Sequence, residues 1–207
     1  MSTSRNDATE LVRTGYDRAA DRYARERDKF KNEKYLKLFT ELLRPPASVL
    51  DIGCGSGEPI DHFLVARGYD VIGVDISSKQ IELARQLVPG ARFEVQNMLT
   101  LKPGQYAVGG IVSFYAIFHT PRERHAGLLR TFASFLRPGG AVLITMGAED
   151  YEGKEQDFHG VEMYWSHFGS TRNRQLVDAA GFDIELAEID NSGGEAHQVI
   201  LARRSRV

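Results

Sequence analysis

Residues 49–59, VLDIGCGSGEP, constrain this chain more than any other stretch. An apolar run ends on Asp51, glycines follow at positions 53, 55 and 57, and Pro59 and Ile60 then open a helical pattern. A strand that leaves its sheet through alternate glycines lets a ligand approach the backbone closely, because no Cβ stands in the way. Strand, glycine turn and helix in that order are the opening unit of a parallel sheet covered by helices.

The rest of the chain keeps that beat. Strand-like runs fall at 48–52, 70–75, 92–96, 110–114 and 141–146, with helical segments between them. Ile60, Phe63 and Leu64 form one buried side that Gly68 closes. Ser77 and Gln80 form a capping box ahead of Ile81, Ala84 and Val88, and Thr120 and Glu123 repeat it ahead of Leu128, Leu129, Phe132, Phe135 and Leu136, with RPGG as the stop. Residues 182–189 and 196–203 are extended runs joined by DNSGG, which predicts an antiparallel hairpin at the end of the sheet. Before the first strand, residues 8–44 read as two helices, one carrying Tyr16, Ala20 and Tyr23 and the other an apolar face from Tyr35 to Leu43. A length of 207 residues fits one domain over 1–207, with a helical lid at 1–44 and a core at 45–207. The expected fold is a Rossmann-like three-layer α/β/α sandwich whose seven-stranded, mostly parallel sheet has its last strand antiparallel.

Which ligand the turn holds depends on its neighbours. A dinucleotide fingerprint needs a third glycine at position 58, where Glu58 would repel a pyrophosphate, and a P-loop needs a lysine that is missing between Lys37 and Lys79. Asp51 instead suits a ligand carrying ammonium or sulfonium charge, and S-adenosylmethionine carries both. Asp75 ends the second strand, 24 residues on, where a carboxylate accepts hydrogen bonds from a ribose diol.

VLDIGCGSGEP, GVDIS, FEVQNM, IVSFYAIFH and FLRPGGAVLITM, in this order, resemble the successive motifs of class I S-adenosylmethionine-dependent methyltransferases, over about residues 9–203. YDRAADRYARERD and MYWSHF…NRQLVDAAGF are similar to small bacterial members that act on small metabolites. The resemblance implies that Gly53 and Gly55, with Cys54 between them, line the methionine part, that Asp51 faces its amino group, and that Asp75 meets the ribose. It further implies Ile76 against adenine, Asn97 and Met98 at the adenine edge, Phe114 beside the sulfonium, and Tyr16 and Tyr23 on a lid over the cofactor. Where relatives often carry an aspartate before the fourth strand, this chain has Gly109-Gly110.

The expected activity is transfer of a methyl group to O or N of a small molecule by in-line displacement, leaving S-adenosylhomocysteine. Aligning the nucleophile supplies much of such catalysis, and a base is needed only for a protonated acceptor. Tyr16, Tyr23, Tyr115, His119, His159 and His167 are candidates, with His119 and His167 foremost as catalytic residues because both follow central strands. Residues 147–170, with Tyr164, Trp165 and Phe168, are the expected acceptor side. Two alternatives are a non-catalytic S-adenosylmethionine-binding regulatory protein and a methyltransferase acting on RNA or protein. A formal charge of -2 gives no basic field for nucleic acid, and SFYA stands where a base-flipping enzyme would carry a proline-bracketed motif. No metal is expected. One cysteine, an opening MSTSRNDATE without an apolar core, and no run of about 18 apolar residues predict a cytoplasmic protein that does not meet membranes.

Overall fold

A computed structural model describes residues 5–26, 32–192 and 194–206. Two helices come first, α1 (Arg5–Glu26) and α2 (Glu33–Leu42). The sheet strands are β1 (Ser48–Ile52), β2 (Asp70–Asp75), β3 (Arg92–Val95), β4 (Val108–Ser113) and β5 (Leu136–Gly147), separated by α3 (Ile60–Val65), α4 (Ser78–Leu87) and α5 (His125–Phe135). A separate hairpin, β6 (Tyr151–Phe158) and β7 (Val161–His167), precedes α6 (Ser170–Ala179), β8 (Phe182–Asp190) and β9 (His197–Arg204). The seven-stranded sheet runs β3-β2-β1-β4-β5-β9-β8. β1 to β5 pair in parallel, and β9 is antiparallel to both β5 and β8. This is the expected Rossmann-like α/β/α sandwich, closed by the expected hairpin.

Alternation along the strands makes the two layers. Leu50, Ile52, Ile111, Val142 and Ile144 face one way, onto Leu128, Leu129 and Phe132 of α5 and Leu176 and Val177 of α6. Val49, Val71, Val112, Leu143 and Leu201 face the other way, onto Tyr35, Leu36 and Phe39 of α2 and Ile60 and Leu64 of α3. The two glycines near the start of β4, Gly109 and Gly110, serve this second layer. A Cβ on Gly110 would come within 2.6 Å of the Phe39 ring and 2.5 Å of Leu43. The helical segment 8–44 therefore divides: α2 is a layer of the sandwich, and only α1 lies over the strand ends.

Local signals hold at several points. Ser77 Oγ accepts from Gln80 N, one half of the expected capping box, while Ser77 N donates to Asp75 Oδ1 in place of the Gln80 side chain, and Gly68 follows α3 at φ +85°. The Thr120 cap fails: its hydroxyl donates to Ile117 O, the Arg122 N–H goes across to Ser166 Oγ, and α5 begins only at His125 after a short 3₁₀ turn. RPGG stops α5 as expected, yet Leu136 already pairs with Val108, so β5 starts before the run read from the sequence. Residues 147–170, the expected acceptor side, contain the β6–β7 hairpin, which the sequence reading did not place.

That hairpin carries α1. Ala8, Val12 and Ala19 pack with Val161, Met163 and Tyr164, and Gly15 leaves room for the Met163 methyl. At a second anchor Asp17 accepts from Ser77 Oγ (2.7 Å) and Lys79 N (3.3 Å), bridging α1 to the start of α4. No helix among the described residues is long and apolar enough to cross a membrane.

Candidate active site

The C-terminal ends of β1, β2, β3 and β4 open into one cavity, roofed by α1. Its floor is the glycine turn. Gly53 and Gly55 sit at φ +81° and +56°, a left-handed region costly for other residues, and a Cβ at Gly53 would collide with the Ala116 side chain. Such a floor fits a ligand lying against the backbone.

Asp75 stands beside it. Oδ2 accepts from Gly55 N at 2.9 Å and Oδ1 from Ser77 N at 2.8 Å, so the carboxylate holds the turn in place and keeps spare lone pairs for a ligand. Burial raises its pKa from the ordinary carboxylate value, while these backbone donors pull it down. Ile76, Asn97, Met98 and Phe114 also line the cavity. Asn97 Oδ1 accepts from Leu99 N and caps a short 3₁₀ turn, which leaves its amide N–H groups for a ligand edge.

On the roof side are Tyr16 and Tyr23 of α1 and His119 after β4. His119 Nδ1 lies 2.8 Å from Tyr164 O, and a carbonyl can only accept, so Nδ1 carries the proton. Nε2, 2.8 Å from the Tyr16 hydroxyl, is then a lone pair accepting from that O–H. The ring is 5% exposed and tilted against Trp165 at 4.3 Å between centroids. Burial lowers its pKa from 6.5 to about 4, against the opposing hydrogen bond to Tyr164, so the imidazole is neutral at physiological pH.

Thus Gly53, Gly55, Asp75, Ile76, Asn97, Met98, Phe114, Tyr16, Tyr23 and His119 come together, while Asp51, Cys54 and His167 stay outside the lining. Asp51 is buried within β1, paired between β2 and β4. The Cys54 thiol points into the Ile81, Ala84, Val88 and Phe93 cluster, so only its backbone belongs to the turn. His167 lies beyond the Trp165–Phe118 ring pair, in a second groove with Tyr151 and His197, where Nδ1 donates to Glu149 O at 2.7 Å. Thr9 and Val12, which sequence reading passed over, line the cavity too. They precede Tyr16 and Tyr23 on one helical face, so extending that spacing backwards would have found them. Tyr115 turns the chain after β4 at φ +55°, its N–H on Thr145 Oγ1 and its hydroxyl donating to Asn32 Oδ1, and so sets Phe114 and Ala116 against the cavity. Among the described residues no group of three or more His, Cys, Asp or Glu side chains could hold a metal ion.

Residues 23–187 match the model of a family described as a methyltransferase domain. Phosphoethanolamine N-methyltransferase 1 of Arabidopsis thaliana is 32% identical over 163 residues, 70% of this chain. The match spans only 30% of that protein's length. The 27-O-demethylrifamycin SV methyltransferase of Amycolatopsis mediterranei is 32% identical over 108 residues, 49% of this chain and 39% of the relative. Among solved structures, the Burkholderia thailandensis 1,6-didemethyltoxoflavin-N1-methyltransferase, with 1,6-didemethyltoxoflavin and S-adenosylhomocysteine bound, superposes with a TM-score of 0.78 at 18% identity, over 99% of this chain and 92% of that one. A 4+2-cyclase shares the fold as well, with a TM-score of 0.72 at 15% identity over 95% of this chain and 97% of its own. One fold thus hosts more than one chemistry, and activity has to be argued from the site.

Proposed function

We propose, starting from the fact that this chain belongs to the methyltransferase domain family, that it moves the methyl group of S-adenosylmethionine to an oxygen or nitrogen of a small molecule. The observation that carries this reading is one cavity with a glycine floor and Asp75 at one side and the Tyr16–His119 pair at the other. In this reading Gly53 and Gly55 receive the methionine part, and Asp75 accepts from the ribose with the lone pairs that Gly55 and Ser77 leave. Ile76 and Met98 flank adenine, Asn97 meets its edge, and Phe114 borders the sulfur. Asp51 acts from behind the turn, as a charge rather than by contact. S-adenosylmethionine supplies there a methyl on a positively charged sulfur, and that charge is gone once S-adenosylhomocysteine remains.

The chain's own part is to align and enclose the acceptor and to take its proton. α1 and the hairpin exclude water from the cavity. Tyr16 directs its O–H at His119 Nε2, so a proton leaving the acceptor passes to the Tyr16 oxygen as the Tyr16 proton passes to Nε2. A proton arriving on His119 in the same step keeps the charge of the cavity constant, which offsets the burial that otherwise keeps the ring neutral. His167 has no part here, since Trp165 and Phe118 stand between it and the cavity. Residues 1–207 act as one unit in this reading, with α1 as the lid. The working place is the cytoplasm, in keeping with a buried free thiol at Cys54.

The experiment is to incubate the purified protein with isotopically labelled S-adenosylmethionine and a small-metabolite extract. Labelled methyl on a small product, with stoichiometric S-adenosylhomocysteine, supports the reading. Failure of S-adenosylhomocysteine to bind in calorimetry, or labelling confined to RNA or protein, overturns it.

A further inference from the structure

The acceptor half of the cavity has a definite chemistry. Tyr16 and Tyr23 meet edge to face at 5.6 Å, and both rings touch Phe158 of the hairpin at 5.9 Å. With Val12 and the neutral His119 they make a surface of rings, hydroxyls and one imidazole lone pair. Among the described lining residues Asp75, on the cofactor side, is the one carrying formal charge at neutral pH. A phosphate taken out of water needs cationic donors around it, and an alkylammonium needs a carboxylate; either ion enclosed without a partner is strongly disfavoured. A planar ring with a hydroxyl group, in contrast, finds aromatic edges to pack on and a polar pair to receive its O–H.

We infer that the methyl acceptor is a small, uncharged aromatic hydroxy compound, packed against Tyr23 with its O–H directed at the Tyr16–His119 pair. This rests on the methyltransferase reading above and narrows it. The phenolic O–H bond breaks as an O–CH₃ bond forms and the methyl–sulfur bond of the donor breaks. The electron pair of that last bond stays on sulfur, and the proton ends on His119 Nε2 by way of the Tyr16 oxygen. The acceptor lies in the part of the cavity bordered by Val12, Tyr16, Tyr23 and His119, beside the cofactor side.

The test is calorimetry on the whole protein saturated with S-adenosylhomocysteine, using catechol, ethanolamine and phosphoethanolamine as probes, with Trp165 emission as a second readout because that indole lies tilted against His119. Catechol is expected to bind at least 10-fold tighter than either charged probe and to quench Trp165. Tyr23→Leu should weaken catechol about 3- to 10-fold, the worth of one aromatic pair, and Tyr23→Phe should restore it. With S-adenosylmethionine in place of the product, catechol should become its monomethyl ether. Tighter binding of ethanolamine or phosphoethanolamine, equal binding of all three, or catechol binding only without S-adenosylhomocysteine overturns the acceptor class and leaves the methyltransferase reading standing. If S-adenosylhomocysteine itself does not bind, both fall.

Discussion

The His119 imidazole is expected to stay neutral until the solution is well below pH 5, and this ties its role to the stability of the protein. Its folded pKa is about 4 against an ordinary 6.5, through burial. Between those values the unfolded chain takes up a proton that the native chain refuses. The stability this provides is complete above pH 6.5 and drains as pH falls through 6.5 towards 4. At about 1.36 kcal/mol per pH unit the full loss is roughly 3 kcal/mol, of which about 2 kcal/mol is gone by pH 5. His125, fully buried and also lowered to about 4, adds a similar slope. The perturbation that isolates His119 is His119→Gln. At pH 7 the variant loses about 1–3 kcal/mol, since the Tyr16 hydroxyl and the Tyr164 carbonyl lose their partners. At pH 5 the gap to the parent should shrink by about 2 kcal/mol, because the variant has no proton to refuse. Urea denaturation at both pH values measures this, and NMR titration of the ring in the folded, S-adenosylhomocysteine-bound protein measures the pKa directly. A gap that does not change with pH, or a ring titrating near 6.5, refutes the enclosed neutral imidazole and the relay built on it.

Three further outcomes follow from the same geometry. Gly53→Ala puts a Cβ into Ala116 at φ +81° and should lower S-adenosylhomocysteine affinity more than 10-fold in calorimetry; unchanged affinity would show that the turn is not the cofactor floor. Asp75→Ala removes the acceptor shared by Gly55 and Ser77 together with the ribose contact, and should weaken S-adenosylmethionine roughly 10- to 150-fold; a folded variant binding at parental affinity sinks the ribose assignment. Asp17→Ala unties α1 from the start of α4, so hydrogen exchange across residues 12–26 should quicken without ligand and slow again when S-adenosylhomocysteine is added; exchange matching the parent would mean the hairpin alone holds the helix.

The sheet and the cofactor side were legible because their signals are local. Glycines that need positive φ, Ser77 set three residues before Gln80, and strands that carry Asp51 and Asp75 at or next to their ends are decided within a few residues of sequence. The β6–β7 hairpin was missed because β6 is exposed on both faces, so YEGKEQDF shows no alternation of apolar and polar residues. Its turn was readable nonetheless: His159 and Gly160 have φ +49° and +85°, the pair of positive angles of a two-residue hairpin turn, with glycine at the second place. Thr120 failed as a cap for a tertiary reason, since Ser166 on the hairpin takes the Arg122 N–H. The two histidines separated for a similar reason. Both follow central strands, but the pairing of Tyr151 with His167 sets the latter against Gly147, where a Cβ would collide with the ring, beyond Trp165 from the cavity. Spacing along the chain cannot tell these two positions apart, because the register of a separate hairpin decides them.

The roof of the cavity is thus made of two pieces far apart in sequence, α1 and the hairpin, and His119 is the joint where both meet the loop after β4. Nδ1 donates to the hairpin through Tyr164 O, and Nε2 accepts from α1 through Tyr16. A neutral imidazole with its proton on Nδ1 satisfies both partners at once, one as donor and one as acceptor. A protonated ring would present a second N–H to the Tyr16 hydroxyl, which would have to turn its own proton away towards the cavity and the acceptor. The outlying tie between α1 and the hairpin, Glu26 to His159 at 2.6 Å, is solvent-facing and so worth little. The apolar seam of Ala8, Val12, Ala19, Val161 and Met163 does not discriminate between protonation states. Among the described residues, the imidazole that ties α1 to the rest of the roof at the cavity is therefore His119. In the proposed relay, receipt of the acceptor's proton would reverse this bond rather than break it: Nε2–H would donate to the Tyr16 oxygen in a charge-assisted bond, so α1 stays held until the ring gives the proton up.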